Sequence, residues 1–155
     1  MTASPSPTPY DLQRFVDAQG PVIDTVMAEL RAGRKRTHWM WFVFPQLAGL
    51  GRSDMAQHYA IRDLTMAAAY LAHPVLGPRL VAAATTVLAL EDTTAHAVFG
   101  DPDTLKLHSS LTLFARVPDA DPVFRACLDR YFGGKEDGGT VALLKGQAKV
   151  RGQAS

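Results

Sequence analysis

The sequence predicts an all-α fold, a single compact domain of about seven to nine short-to-medium helices. Three observations predict it. Apolar residues recur at intervals of three and four through the middle of the chain. Serine, threonine, aspartate, proline and glycine punctuate those stripes where helices start and stop. The connections between stripes are short. A chain of 155 residues that is 47% hydrophobic has enough apolar surface for one core.

Residues 1–9 carry three prolines among small polar residues and read as a disordered lead-in. The helical domain is expected over 10–145. Leu12, Phe15, Val16 and Gln19 share one helical face, with Thr8-Pro9 as the start. Gly20-Pro21 interrupts, and Pro21 suits a first helical position. Val22, Ile23, Val26, Met27 and Leu30 form the next stripe, with Arg31 near its end and Gly33 beyond. Pro45, Gly49 and Gly51 mark a loop. Ser53 caps a short helix over 55–59, and Asp63 or Thr65 caps another over 66–71, which His73-Pro74 breaks.

Leu76, Leu80, Val81, Ala84, Val87 and Leu88 predict a buried helix of about four turns. Thr93 opens a short helix ending at Gly100. Asp101-Pro102 and Asp121-Pro122 repeat one start signal, aspartate at the cap and proline in the first turn. After the second, Phe124, Cys127, Leu128 and Tyr131 make a stripe stopped by Gly133-Gly134. After the first, Leu105, Leu107, Leu111 and Leu113 alternate like a strand, whereas Leu107, Leu111 and Phe114 fit a helix. The Asp-Pro start favours the helix. Residues 140–144 give a last turn or two, and 146–155 a flexible tail.

Composition narrows the function. A formal net charge of +1 argues against a broad nucleic-acid surface. The one cysteine, Cys127, excludes an internal disulfide and fits a core position. The five histidines are scattered, with no metal-binding spacing, so neither metal nor cofactor is expected. No apolar run is long enough to cross a bilayer, and 1–9 has no apolar signal core, which makes a cytoplasmic location the default.

The richest segment is His38-Trp39-Met40-Trp41-Phe42-Val43-Phe44-Pro45-Gln46, which holds both tryptophans and follows Arg34-Lys35-Arg36. Rings beside cations build a core, a stacking pocket for a flat ligand, or both. Trp39 and Trp41 would share a face if the segment is extended and part company if it is helical. At least one of them is expected in the core, with Phe42 and Phe44. Arg34 and Lys35 either compensate a helix dipole or clamp a phosphate or carboxylate. His38 is the acid/base candidate, and its plainer role is to hydrogen-bond a carbonyl and lock a loop.

Two further elements suit an anion. Lys106, Ser109 and Ser110 fall on one helical face, where the lysine neutralises charge and the hydroxyls donate. No glycine elbow accompanies them, so a serine nucleophile is not expected, and packing by small serines is the plain alternative. Gly51 and Ser53, within Gly49-Leu50-Gly51-Arg52-Ser53, precede a helix and could offer backbone N–H groups, without a Walker or dinucleotide fingerprint. Of the acids, Asp54 and Asp101 look like helix-start residues, leaving Asp63 and Asp103.

Several strings carry a family resemblance: Asp11-Leu12-Gln13-Arg14-Phe15, the aromatic segment with Lys35, Gly49 to Ser53, Tyr59-Ala60-Ile61, Tyr70-Leu71-Ala72-His73-Pro74, Leu105-Lys106-Leu107, Ser109-Ser110 and Thr112-Leu113-Phe114. Over about 11–144 the chain resembles the domain of unknown function 1810 family, small proteins sometimes mislabelled calpastatin. The resemblance implies an all-α fold and no established activity, with a loose association with NAD and ADP-ribose metabolism. His108 departs from it, standing where a more basic residue, commonly arginine, is expected.

The reading reached from the sequence is a site for a small phosphorylated aromatic ligand, a nucleotide or ADP-ribose derivative. Trp39 or Trp41 would stack the base, while Arg34, Lys35, Gly51, Ser53, Lys106, Ser109 and Ser110 hold phosphates. The alternative is a non-catalytic interaction module or homodimer anchored by the aromatic segment. Single-stranded nucleic acid is the least favoured partner.

Overall fold

A computed structural model of the chain describes residues 10–154, with side chains through 148. The lead-in expected over 1–9 and the helix start at Thr8-Pro9 lie outside the described residues. The described chain is all-α. Its helices are α1 (Gln13–Gln19), α2 (Ile23–Arg31), α3 (Met40–Val43), α4 (Asp54–His58), α5 (Leu64–Ala72), α6 (Leu76–Ala89), α7 (Ala95–Phe99), α8 (Asp103–Ala115), α9 (Val123–Phe132) and α10 (Gly138–Ala154).

These ten helices exceed the expected seven to nine. The added one is α3, a single turn inside the aromatic segment that periodicity could not resolve. A lone parallel bridge, Leu47 to Ile61, closes the following loop. Ala48 N–H donates to Ile61 O at 2.7 Å and Ile61 N–H to Gln46 O at 2.9 Å.

Two helices organise the core. The apolar α6 packs against α2, α5 and α9, and α8 packs against α3, α5, α7, α9 and α10. Leu80, Ala84 and Val87 of α6 and Leu107, Leu111 and Phe114 of α8 are buried, as their spacing predicts. The 105–113 alternation is therefore helical, since only Leu105 of those leucines is exposed, at 65%. Phe15, Tyr70 and Phe114 form a ring chain, with centroids 5.3 Å apart in each step.

Gly77 is required where α5 turns into α6 through 91°. A Cβ there would lie 2.0 Å from Leu71 O. Helix starts mostly follow their signals. Ser53 and Asp63 cap α4 and α5 by accepting from Ala56 N at 3.1 Å and Met66 N at 2.8 Å. Thr94, one residue beyond the expected Thr93, caps α7. Asp121 accepts from Val123 N at 2.9 Å at the start of α9. Asp101 does not cap α8; its carboxylate instead lies 3.2 Å from His96 Nε2.

The C-terminal expectation also changes. Instead of a turn or two over 140–144 and a tail from 146, α10 runs from Gly138 to Ala154. Asp137 starts it by accepting from Thr140 N at 2.9 Å and Thr140 Oγ1 at 2.7 Å. Gly138 and Gly139 obscure that start in the sequence, although Ala142, Leu143, Leu144, Lys145, Gln147 and Ala148 are strong helix formers. No single helix among the described residues is long and apolar enough to cross a membrane.

Candidate functional site

The site is built from one buried carboxylate outward. Glu29 follows Val26 by one helical turn and is 8% exposed. Its Oε1 accepts from Arg36 N at 2.8 Å, Thr37 N at 3.1 Å and Trp39 Nε1 at 3.0 Å. Its Oε2 accepts from Thr37 Oγ1 at 2.7 Å. Burial alone would raise the Glu29 pKa, but these four bonds outweigh it and hold the group at about 2. The loop after α2 is thus wrapped round an ionised carboxylate, which fixes where the aromatic segment begins.

That wrapping separates the two tryptophans. Trp39 precedes the α3 turn and is buried, 1% exposed, against Phe44 and Phe99. Trp41 lies within the turn and is half-buried. The helical alternative is the one realised, so the two indoles diverge. Trp39 is a core residue, and its burial leaves Trp41 as the more accessible of the two stacking options. Phe42 and Phe44 are core, as expected.

Lys35 turns inward. Its N–H donates to Val98 O at 2.8 Å, tying the loop to α7. Its side chain is 6% exposed and its Nζ contacts Asp103 Oδ2 at 2.7 Å and Thr37 O at 2.6 Å. The same ammonium sits 5.0 Å from the Trp39 ring centroid. These partners leave Lys35 committed to the fold and poorly placed as a direct phosphate clamp.

Asp103 opens α8 and also meets Lys106, one turn on, at the longer distance of 3.7 Å. The Lys106 ammonium lies 5.1 Å from the Trp41 ring centroid. Two lysines from distant parts of the chain therefore share one carboxylate, and each caps one tryptophan. This places Lys35, Lys106, Trp39 and Trp41 in one cluster, with Trp41 and Lys106 as its accessible side.

The remaining predicted residues divide. Ser109 is buried and shares its one O–H between Leu105 O at 3.0 Å and Asp137 Oδ2 at 3.2 Å, joining α8 to the start of α10. Ser110 is 1% exposed, and its Oγ has no hydrogen-bond partner among the described residues. Burial corrects the expectation that both hydroxyls face an anion. Ser53 Oγ is spent on capping α4, a helix of five residues. Gly51 is tight against Ala56, where an added Cβ would lie 2.4 Å from Ala56 Cβ. The neighbouring Leu50 and Gly49 adjoin Gly139 and Leu143 of α10. The glycine loop therefore packs locally and on α10.

Arg34, Arg36 and His38 are exposed on the α2–α3 loop. His38 has no hydrogen-bond or ion-pair partner among the described residues, so no neighbour orients it as an acid or base. His108, in place of the expected arginine, stacks on Phe132 with centroids 4.1 Å apart and contacts Lys135 O at 2.7 Å, holding the α9–α10 turn. Cys127 is buried, and desolvation pushes its thiol up to about 12, which leaves it inert. No group of three metal-ligating side chains occurs among the described residues.

Sequence reading missed Glu29 and undervalued Asp103. A faint signal existed for each: Glu29 lies three residues after Val26 on the inward side of α2, and Asp103 lies three before Lys106. Surface hollows of about 330, 510 and 500 Å³ lie elsewhere, beside Phe124, Leu144 and Leu90 respectively.

Comparison with known proteins agrees with this helical architecture. The chain is similar to a crystal structure of the conserved hypothetical protein Rv1873 from Mycobacterium tuberculosis, at 56% identity and a TM-score of 0.87. The match covers 88% of this chain and 98% of that one. Among curated proteins, none matches. The profile described as "Protein of unknown function (DUF1810)" matches residues 9–144, nearly the whole of the described fold. The chain belongs to the DUF1810 family.

Proposed function

We propose that the protein binds a small phosphorylated aromatic ligand, a nucleotide or ADP-ribose derivative, at the Trp41–Lys106 pair where α3 meets α8. The carrying observation is the unequal commitment of the two lysines. Lys35 is buried in a 2.7 Å ion pair, whereas Lys106 keeps only a 3.7 Å contact with the same carboxylate and stands beside a half-buried indole. A loosely paired cation next to a ring is the arrangement that holds a phosphate while a base stacks. Arg34 and Arg36, exposed on the adjoining loop, are available to a second phosphate. A cytoplasmic location belongs to the same proposal.

Binding alone is proposed, because no oriented acid/base pair accompanies the cluster among the described residues. A thermal-shift panel of ADP-ribose, NAD, AMP and short oligonucleotides tests it, since a ligand of the folded state raises the melting temperature. A rise with the nucleotides and none with oligonucleotides is expected. No rise with any compound, together with concentration-dependent melting, would move the assignment to an interaction module.

A further inference from the structure

Asp103 stands between the two lysines, and its position has a consequence for what the site accepts. We infer that Asp103 is a fixed counter-charge that limits the negative charge the Trp41–Lys106 pair accepts, favouring a singly charged phosphodiester over a doubly charged terminal phosphate. The inference rests on the proposed ligand class for its nucleotide arm only.

Three observations carry it. First, Asp103 cannot swing away easily. Lys35, itself 6% exposed, grips Oδ2 at 2.7 Å, and the position in the first turn of α8 favours a negative charge. Second, Oδ1 lies 3.7 Å from the Lys106 ammonium, so an anion docking on Lys106 must approach a carboxylate of its own sign. Third, the cluster is sheltered, with Asp103 and Lys106 side chains 18% and 21% exposed, so solvent screens that repulsion less than on an open surface. The two lysines and one aspartate sum to a single positive charge, which one phosphodiester balances. A second ligand charge finds no further cation among these three groups.

The Asp103→Asn substitution removes the charge and keeps an oxygen for Lys35. Trp39 is 1% exposed, so quenching of tryptophan fluorescence by small solutes reports Trp41. Iodide and neutral acrylamide, applied to the wild-type protein and to D103N, read the local potential without any nucleotide. The iodide quenching constant is expected to rise about twofold in D103N with the acrylamide constant unchanged. An unchanged iodide constant, or equal rises with both quenchers, overturns the inference.

The second arm compares AMP with its phosphate monomethyl ester, which carry two charges and one. D103N is expected to gain several-fold more affinity for AMP than for the ester. Equal gains overturn the charge preference. If quenching changes as expected and neither nucleotide binds either protein, the proposed ligand class fails while the counter-charge role of Asp103 stands.

Discussion

The Glu29 carboxylate accepts the Trp39 indole N–H at 3.0 Å, and the same oxygen also receives the N–H groups of Arg36 and Thr37. One buried acid thus sets the path of the loop that carries Lys35 inward and presents Trp41 to Lys106. The fold around the site depends on that acid staying ionised.

Its pH dependence follows from the sign of the shift. The folded pKa of about 2 lies below the ordinary value of 4.5. The stabilisation is fully present above the unfolded pKa and disappears as pH falls from about 4.5 through 2. It amounts to about 3 kcal/mol at neutral pH. Urea unfolding of the wild type and Glu29→Gln between pH 2 and 6 checks this. The variant should be less stable at pH 6, and the gap should narrow as the medium becomes acidic. A constant gap would mean that the carboxylate charge is not what the loop recognises. Glu136, lowered by its Arg116 hydrogen bond, adds acid lability of the same sign to both proteins, so the difference isolates Glu29.

The two tryptophans should respond differently to truncation. Trp39→Ala removes a fully buried ring and leaves Glu29 short of a donor, at a cost of about 3–5 kcal/mol. Trp41→Ala removes a half-buried ring and should cost about 1–2 kcal/mol. Chemical denaturation midpoints distinguish them. Equal costs would contradict the division between a core indole and an accessible one.

The serine pair offers a second contrast. Ser109→Ala breaks the link to Asp137 and should cost about 1 kcal/mol. Ser110→Ala removes a buried hydroxyl that has no partner among the described residues, and should be neutral or stabilising by up to about 1 kcal/mol. Melting temperatures of the two variants should therefore move apart, and a loss at Ser110 equal to that at Ser109 would show an unrecognised partner.

Helical periodicity made most of the fold legible, because long stripes such as Leu80, Ala84 and Val87 bury one face whatever their neighbours do. It failed where the structure is set by tertiary contacts. The α3 turn is too short to show a period, and Asp137 starts α10 just ahead of two glycines that look like a stop. At the site, Lys106 stands out by its helical spacing from Ser109 and Ser110, and the aromatic segment by composition. The burial of Trp39 and Lys35 was hidden because it depends on Glu29 and Asp103, charged residues whose inward orientation no local pattern announces. Gly51 and Ser53 misled for the opposite reason: their anion-friendly chemistry is consumed by capping and close packing.

In the proposed site, Trp41 and Lys106 act together on one ligand. A double-mutant cycle of Trp41→Ala and Lys106→Ala, with ADP-ribose affinity measured by titration calorimetry, tests it most directly. Wild-type binding is expected, with at least a tenfold loss in each single variant and a double variant weakened by less than the product of the two losses. Wild-type affinity retained by both single variants, or no binding by the wild type, would contradict it.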